Sequence, residues 1–161
     1  MKFFAFLVLF ALLATFAGHV RAQQEEVPTQ PARLLVEKRV ENKYLVENQE
    51  IVVHYKVYNV GERPAVNVAI EDHSLPKDYF EWLNATNQIQ IGKVEPNSFQ
   101  QRTLLFKPKL GVWGRFNFTF AEVNYKSEGD ATPFYGFSSE PGVGFILSAQ
   151  EYDRRFSLHL V

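Results

Sequence analysis

Ile51-Val52-Val53-His54-Tyr55-Lys56-Val57-Tyr58-Asn59-Val60-Gly61 is the stretch on which the fold turns. Residues 51, 53, 55 and 57 are apolar and share one face of an extended chain, while His54 and Lys56 take the other. That alternation is the signature of a half-buried β-strand, because successive strand side chains point to opposite faces. The run Asn59-Val60-Gly61-Glu62-Arg63-Pro64 then reads as a turn, since Asn, Gly and Pro supply its conformations. Beyond it Val66, Val68 and Ile70 alternate with Asn67, Ala69 and Glu71. The two runs are expected to pair antiparallel.

Working outward, Leu34 to Val40 reads as a first strand, and Gln88 to Val94, Phe99 to Lys107, Arg115 to Tyr125 and Phe134 to Ser139 as later ones. Glu95-Pro96-Asn97-Ser98 and Pro108 to Gly114 are the turns between them, the latter holding Trp113 beside glycines. Asp78 to Leu83 is expected to be a short helical turn or an irregular link, and no helix of three turns is evident. Pro141-Gly142-Val143-Gly144 lacks the strand-to-helix setting of a dinucleotide loop and reads as a hairpin or crossover. About seven short strands, each with one buried face, predict an all-β, immunoglobulin-like antiparallel sandwich of two sheets.

Composition agrees and narrows the function. The 161 residues are 46% hydrophobic, with 17 Lys+Arg against 18 Asp+Glu and no cysteine. A disulfide scaffold and a cysteine-ligated metal site are excluded. Basic residues are scattered, so nucleic acid is not an expected partner.

The first 22 residues carry Lys2, an apolar run from Phe3 to Ala17 broken only by Thr15, and Val20-Arg21-Ala22. A charged start, an apolar middle and a small-residue end predict a secretory signal peptide cleaved between Ala22 and Gln23. The run is shorter than the ~20 apolar residues a membrane span needs. Residues 23–31 are polar with Glu25-Glu26 and two prolines, a flexible leader. The sandwich is expected over 32–148 and a terminal arm over 149–161.

Chemical motifs are sparse. The histidines are His19, His54, His73 and His159, and none sits in a metal-ligand spacing. Asp72-His73-Ser74 holds the side-chain types of a hydrolase triad, but neighbours in one loop cannot form the relay. A turn whose Asp and Ser bind backbone groups is expected there. No catalytic, metal or cofactor-binding set is predicted, and no cofactor. Asn84-Ala85-Thr86 and Asn117-Phe118-Thr119 match the N-glycosylation acceptor pattern. Burial of Phe116 and Phe118 would turn Asn117 outward.

The stretches Ala32-Arg33-Leu34-Leu35, Tyr55 to Gly61, Phe116-Asn117-Phe118-Thr119 and Glu151-Tyr152-Asp153-Arg154-Arg155-Phe156-Ser157 carry a resemblance that spans most of the chain. Together they are similar to the translocon-associated protein β family, also called signal sequence receptor β. The resemblance implies a non-enzymatic glycoprotein whose sandwich lies in the endoplasmic reticulum lumen. Its partners would be sister subunits of the translocon-associated complex, the Sec translocation channel and nascent chains. It further implies that Asp153, Arg154, Arg155 and Phe156 form a subunit-contact arm near the membrane. Family members continue into one transmembrane helix, and Leu158, Leu160 and Val161 read like the approach to such a span. The competing reading is a secreted or cell-surface binding module of the same fold.

Overall fold

The computed structural model describes residues 29–84 and 88–156; the expected signal peptide with its Ala22–Gln23 junction lies outside them. Strand β3 (Ile51–Asn59) keeps the predicted alternation throughout: Ile51, Val53, Tyr55, Val57 and Asn59 are buried and the residues between them half-buried. Its neighbours are antiparallel. In β1 (Leu34–Val40) Val36 faces Val57 and Val40 faces Val53; in β7 (Phe99–Pro108) Leu104 faces Val53 and Phe106 faces Ile51. Strand β5 (Phe80–Trp82) lies beyond β7, giving the order β1-β3-β7-β5.

The second sheet runs β10 (Pro133–Phe137), β9 (Glu122–Ser127), β4 (Ala65–Glu71), β6 (Gln88–Val94). A small third sheet joins β2 (Leu45–Val46), β11 (Gly142–Leu147) and β8 (Gly114–Phe118). The one helix among the described residues, α1 (Ala149–Phe156), follows β11. Val53, Tyr55 and Val57 of the first sheet meet Val68, Ile70 and Val123 of the second in one apolar core, which Leu45, Phe118 and Ile146 of the third also enter. The all-β antiparallel sandwich is the architecture that the alternating runs predict.

Several local expectations are corrected. The runs at 51–57 and 66–70 do not pair: β3 and β4 belong to different sheets. The turn between them crosses the sandwich because Asn59, itself buried, fixes it on both sides. Its Oδ1 accepts from Gly61 N at 3.0 Å and Arg33 N at 3.2 Å, and its Nδ2 donates to Arg63 O at 2.8 Å and Val94 O at 3.0 Å. A Cβ on Gly61 would sit 2.3 Å from Pro31 O, so only glycine admits the incoming strand there.

Within β4 the inward set is Ala65, Val68 and Ile70, not Val66, Val68 and Ile70. Asn67 adopts φ 54 beside a register shift, and such a bulge moves the alternation by one residue. The single strand expected from Arg115 to Tyr125 is two, β8 and β9, in different sheets. At the break side chains take over part of the backbone bonding: Ala121 N donates to Ser138 Oγ at 2.9 Å and Thr119 O accepts from Lys38 Nζ at 2.8 Å. Phe80 within 78–83 starts a strand rather than a helical turn, and its ring packs edge-on to Phe106 at 5.3 Å and Phe116 at 4.7 Å. Gly142-Val143-Gly144 lies in strand β11, not in a hairpin loop. Strands therefore number eleven among the described residues, β2, β5 and β11 having escaped a reading based on long alternating runs.

Candidate functional site

The triad-like Asp72-His73-Ser74 dissolves on inspection of its partners. Asp72 and Ser74 are buried while His73 is exposed, so the three side chains do not converge. Asp72 Oδ1 accepts from Ser74 N at 2.9 Å, as the expected turn requires, but Ser74 Oγ binds side chains rather than backbone, donating to Asp72 Oδ1 at 2.7 Å. Its Oδ2 takes Lys38 Nζ at 2.7 Å and the Tyr55 hydroxyl. Lys38 Nζ completes its bonding with Ser74 Oγ and Thr119 O, both at 2.8 Å.

Burial pulls the Lys38 ammonium below its ordinary pKa, opposed by the Asp72 carboxylate. Burial and then the same carboxylate push the Tyr55 phenol well above its own. With the Lys38 and Asp72 side chains fully out of solvent and all three ammonium hydrogens engaged, the cluster ties β1, β3 and the segments after β4 and β8 together. It leaves no atom for a substrate. Sequence reasoning missed Lys38 as a core residue, although its parity with Leu34, Val36 and Val40 places it on the inward face.

The surface suited to recognition lies at the end where β11 gives way to α1. Strand β11 pairs with β8 from Gly142 to Ile146, but with β2 only at Ile146 and Leu147. Its edge from Gly142 to Phe145 borders a hollow of about 510 Å³ walled by Val40, Tyr44, Leu45, Gly142, Gly144 and Arg155. A Cβ on Gly144 would stand 2.9 Å from both Leu45 Cδ1 and Phe118 Cε2, so a larger residue there would have to displace these side chains. An unpaired strand edge beside a hollow can accept an extended segment by main-chain hydrogen bonding.

Helix α1 starts at a cap: Ser148 Oγ accepts from Glu151 N at 3.2 Å. Glu47 Oε1 accepts from Ala149 N at 3.0 Å, and its Oε2 from Gly111 N at 2.8 Å, so one carboxylate ties the helix start to the turn after β7. Tyr44 packs against Phe156 with tilted rings at 4.5 Å and edge-on to Tyr152 at 6.2 Å, holding the helix although none of its residues is buried. Arg154 and Arg155 both bind Glu151, at 2.6 Å and 2.7 Å. These hydrogen bonds hold the Glu151 carboxyl below the usual carboxylate range.

The expected arm is therefore a helix from 149 to 156, with Asp153, Arg154, Arg155 and Phe156 on its exposed last turns; Ser157 lies outside the described residues. Asn84 is exposed after β5, but its carboxamide is engaged: Nδ2 donates to Thr103 O at 2.9 Å and Oδ1 accepts from Leu105 N at 2.8 Å. Thr86 of that acceptor lies outside the described residues. Asn117 points outward from β8 opposite Val143, with Phe116 and Phe118 packed inward at 4.9 Å from one another. His54 lies on the outward face of β3, 2.9 Å from Thr103 Oγ1. Exposed Leu110 and Phe145 near α1 were not singled out by sequence, since a lone apolar residue carries no periodic signal, whereas Trp113 was placed in its turn beside glycines and is exposed there.

The family model for translocon-associated protein beta (TRAPB) matches residues 8–161. The chain belongs to the translocon-associated protein beta family. It is 32% identical over 150 residues to the translocon-associated protein subunit beta of Caenorhabditis elegans, covering 92% of this chain and 77% of that one. The corresponding subunit of Dictyostelium discoideum is 27% identical over 128 residues, covering 79% and 68%. A solved inactive mutant of a GH20 exo-β-N-acetylglucosaminidase from Vibrio harveyi overlaps 71% of this chain and 18% of its own at a TM-score of 0.39 and 11% identity, a likeness too slight to bear on function. Membership of a family named for a translocon-associated subunit is membership in a non-enzymatic role.

Proposed function

We propose that this chain is the luminal part of a translocon-associated complex subunit, which assists translocation or insertion of nascent secretory and membrane proteins at the Sec channel of the endoplasmic reticulum. The observation that carries the reading is the family match along residues 8–161. The signal peptide at 1–22, cut between Ala22 and Gln23, delivers residues 32–148 to the lumen as the folded domain, preceded by the leader at 23–31. A transmembrane helix beyond Val161 anchors it, as the family resemblance implies; among the described residues no helix is long and apolar enough to cross a membrane. Sister subunits dock on the β11–α1 end. The supporting features are an open strand edge, a hollow and an arm of mixed charge.

The arm is tested by changing Arg154 and Arg155 together to Glu in the full-length protein and purifying it in mild detergent. Recovery of sister subunits and channel should fall several-fold at an unchanged thermal midpoint. Undiminished recovery would reduce the arm to a spacer. Glu151→Gln serves as the control, since it loosens both arginines without reversing charge and should leave recovery near the parent level.

N-glycans at Asn84 and Asn117 complete the reading. Both residues are exposed, and the second hydrogen of Asn84 Nδ2 remains available beside its bond to Thr103 O. Asn84→Gln and Asn117→Gln should each raise gel mobility by one glycan and together by two. A shift with Asn84→Gln alone would mean that Asn117 is skipped.

A further inference from the structure

We propose that the turn between β7 and β8, Lys109-Leu110-Gly111-Val112-Trp113-Gly114-Arg115, is a membrane-interface contact that seats its apolar tip in an anionic lipid surface. Leu110 is 76% and Trp113 63% exposed, two large apolar side chains presented by one turn. Partitioning out of water favours side chains of this size by about tenfold or more each. Tryptophan prefers the headgroup level, where an apolar ring and a polar N–H are both accommodated.

Lys109 and Arg115 stand at the two ends of the tip, and neither has an ion-pair partner among the described residues. Cations flanking an apolar tip meet lipid phosphates while their stems lie along the acyl boundary.

The tip is held in shape before any contact. Val112 N donates to Lys109 O at 3.1 Å, Gly111 takes φ 84, and Gly111 N donates to Glu47 Oε2. Contact with lipid therefore costs little ordering. The other oxygen of Glu47 holds the start of α1, and a hollow of about 550 Å³ is lined by Trp113, Phe145 and Arg155 together. Exposed Phe145 thus extends the apolar patch beside Trp113. Glu47, bound by the Gly111 and Ala149 amides, and Glu151, paired with Arg154 and Arg155, keep their negative charge on the neighbouring surface, so the cations offered to lipid are Lys109 and Arg115 at the tip. An exposed apolar tip between two unpaired cations matches a fluid anionic surface, whereas a protein partner would have to supply a fitted socket.

This contact goes beyond membership of a complex and requires no sister subunit. The chain has two tryptophans, so Trp82→Phe leaves Trp113 as the sole reporter. In the chain beginning at Gln23, Trp113 emission should shift to the blue on adding phosphatidylcholine–phosphatidylserine vesicles and should be quenched by brominated acyl chains. Leu110→Asp with Lys109→Glu, in a chain whose circular dichroism matches the parent, should lower vesicle partitioning by about tenfold or more. Emission that stays at its water-exposed position, or partitioning that the double variant leaves intact, overturns the proposal and returns the tip to a protein interface.

Discussion

Tyr55 and Asp72 show how much of this core is decided by one shared proton. The Tyr55 hydroxyl donates to a buried carboxylate that also holds Lys38. Ionising the phenol would set a second negative charge against Asp72, which is why burial and that carboxylate push its pKa far above the ordinary 10.0. In the unfolded chain Tyr55 releases its proton near that ordinary value while the folded chain retains it. The stability it contributes is thus complete below pH 10 and declines as pH climbs beyond it. Tyr55→Phe should cost about 1.5–3 kcal/mol at neutral pH, the worth of a hydrogen bond to a charged group. The gap from the parent should narrow above pH 10, as urea titrations at a series of pH values would show; a constant gap would mean that the hydroxyl is not bound to Asp72. Sequence makes Tyr55 legible as an inward residue through its parity with Ile51, Val53 and Val57. Its partner is not legible, because Asp72 lies in a loop with no periodicity and reaches Tyr55 only once the two sheets are stacked.

At the scale of elements, alternation predicts β1, β3, β6 and β7 closely and fails where backbone geometry interrupts it. The positive φ of Asn67 shifts the phase of β4, and the side-chain bonds at 119–121 cut one expected strand into β8 and β9. Neither event has a local signature beyond an asparagine and a threonine. Helix α1 was hidden for another reason: at eight residues it is too short for its period to register, and its packing rests on Tyr44, far away in sequence. Its cap is readable in retrospect as Ser148-x-x-Glu151, the spacing in which a hydroxyl accepts from the third helical amide. Ser148→Ala should weaken α1 by about 1 kcal/mol. Because no residue of α1 is buried, the loss should appear as faster amide exchange at 152–156 with the global midpoint unchanged. A midpoint lowered in parallel with the exchange would instead make α1 an integral part of the folding unit.

Across the whole molecule the question is whether the small sheet is an appendage or part of the same body. Phe118 of β8 is buried at 1% exposure and Ile146 of β11 likewise, and both belong to the core cluster that contains Val53 and Val123. Phe116 carries the contact further by meeting Phe80 of the first sheet edge-on. The β2–β11–β8 sheet, on which the open edge and α1 depend, is thereby mounted on the sandwich and should unfold with it. Phe118→Ala removes the ring that contacts Gly144 and Phe116, and large-to-small changes at such sites cost about 3–5 kcal/mol. The variant should lose stability as one cooperative transition, with Trp82 fluorescence, which reports on β5, and far-ultraviolet circular dichroism falling at the same denaturant concentration. Were Trp113, next to β8, to report an earlier transition than Trp82, the third sheet would be a separate unit. The open edge of β11 and α1 would then detach without loss of the sandwich.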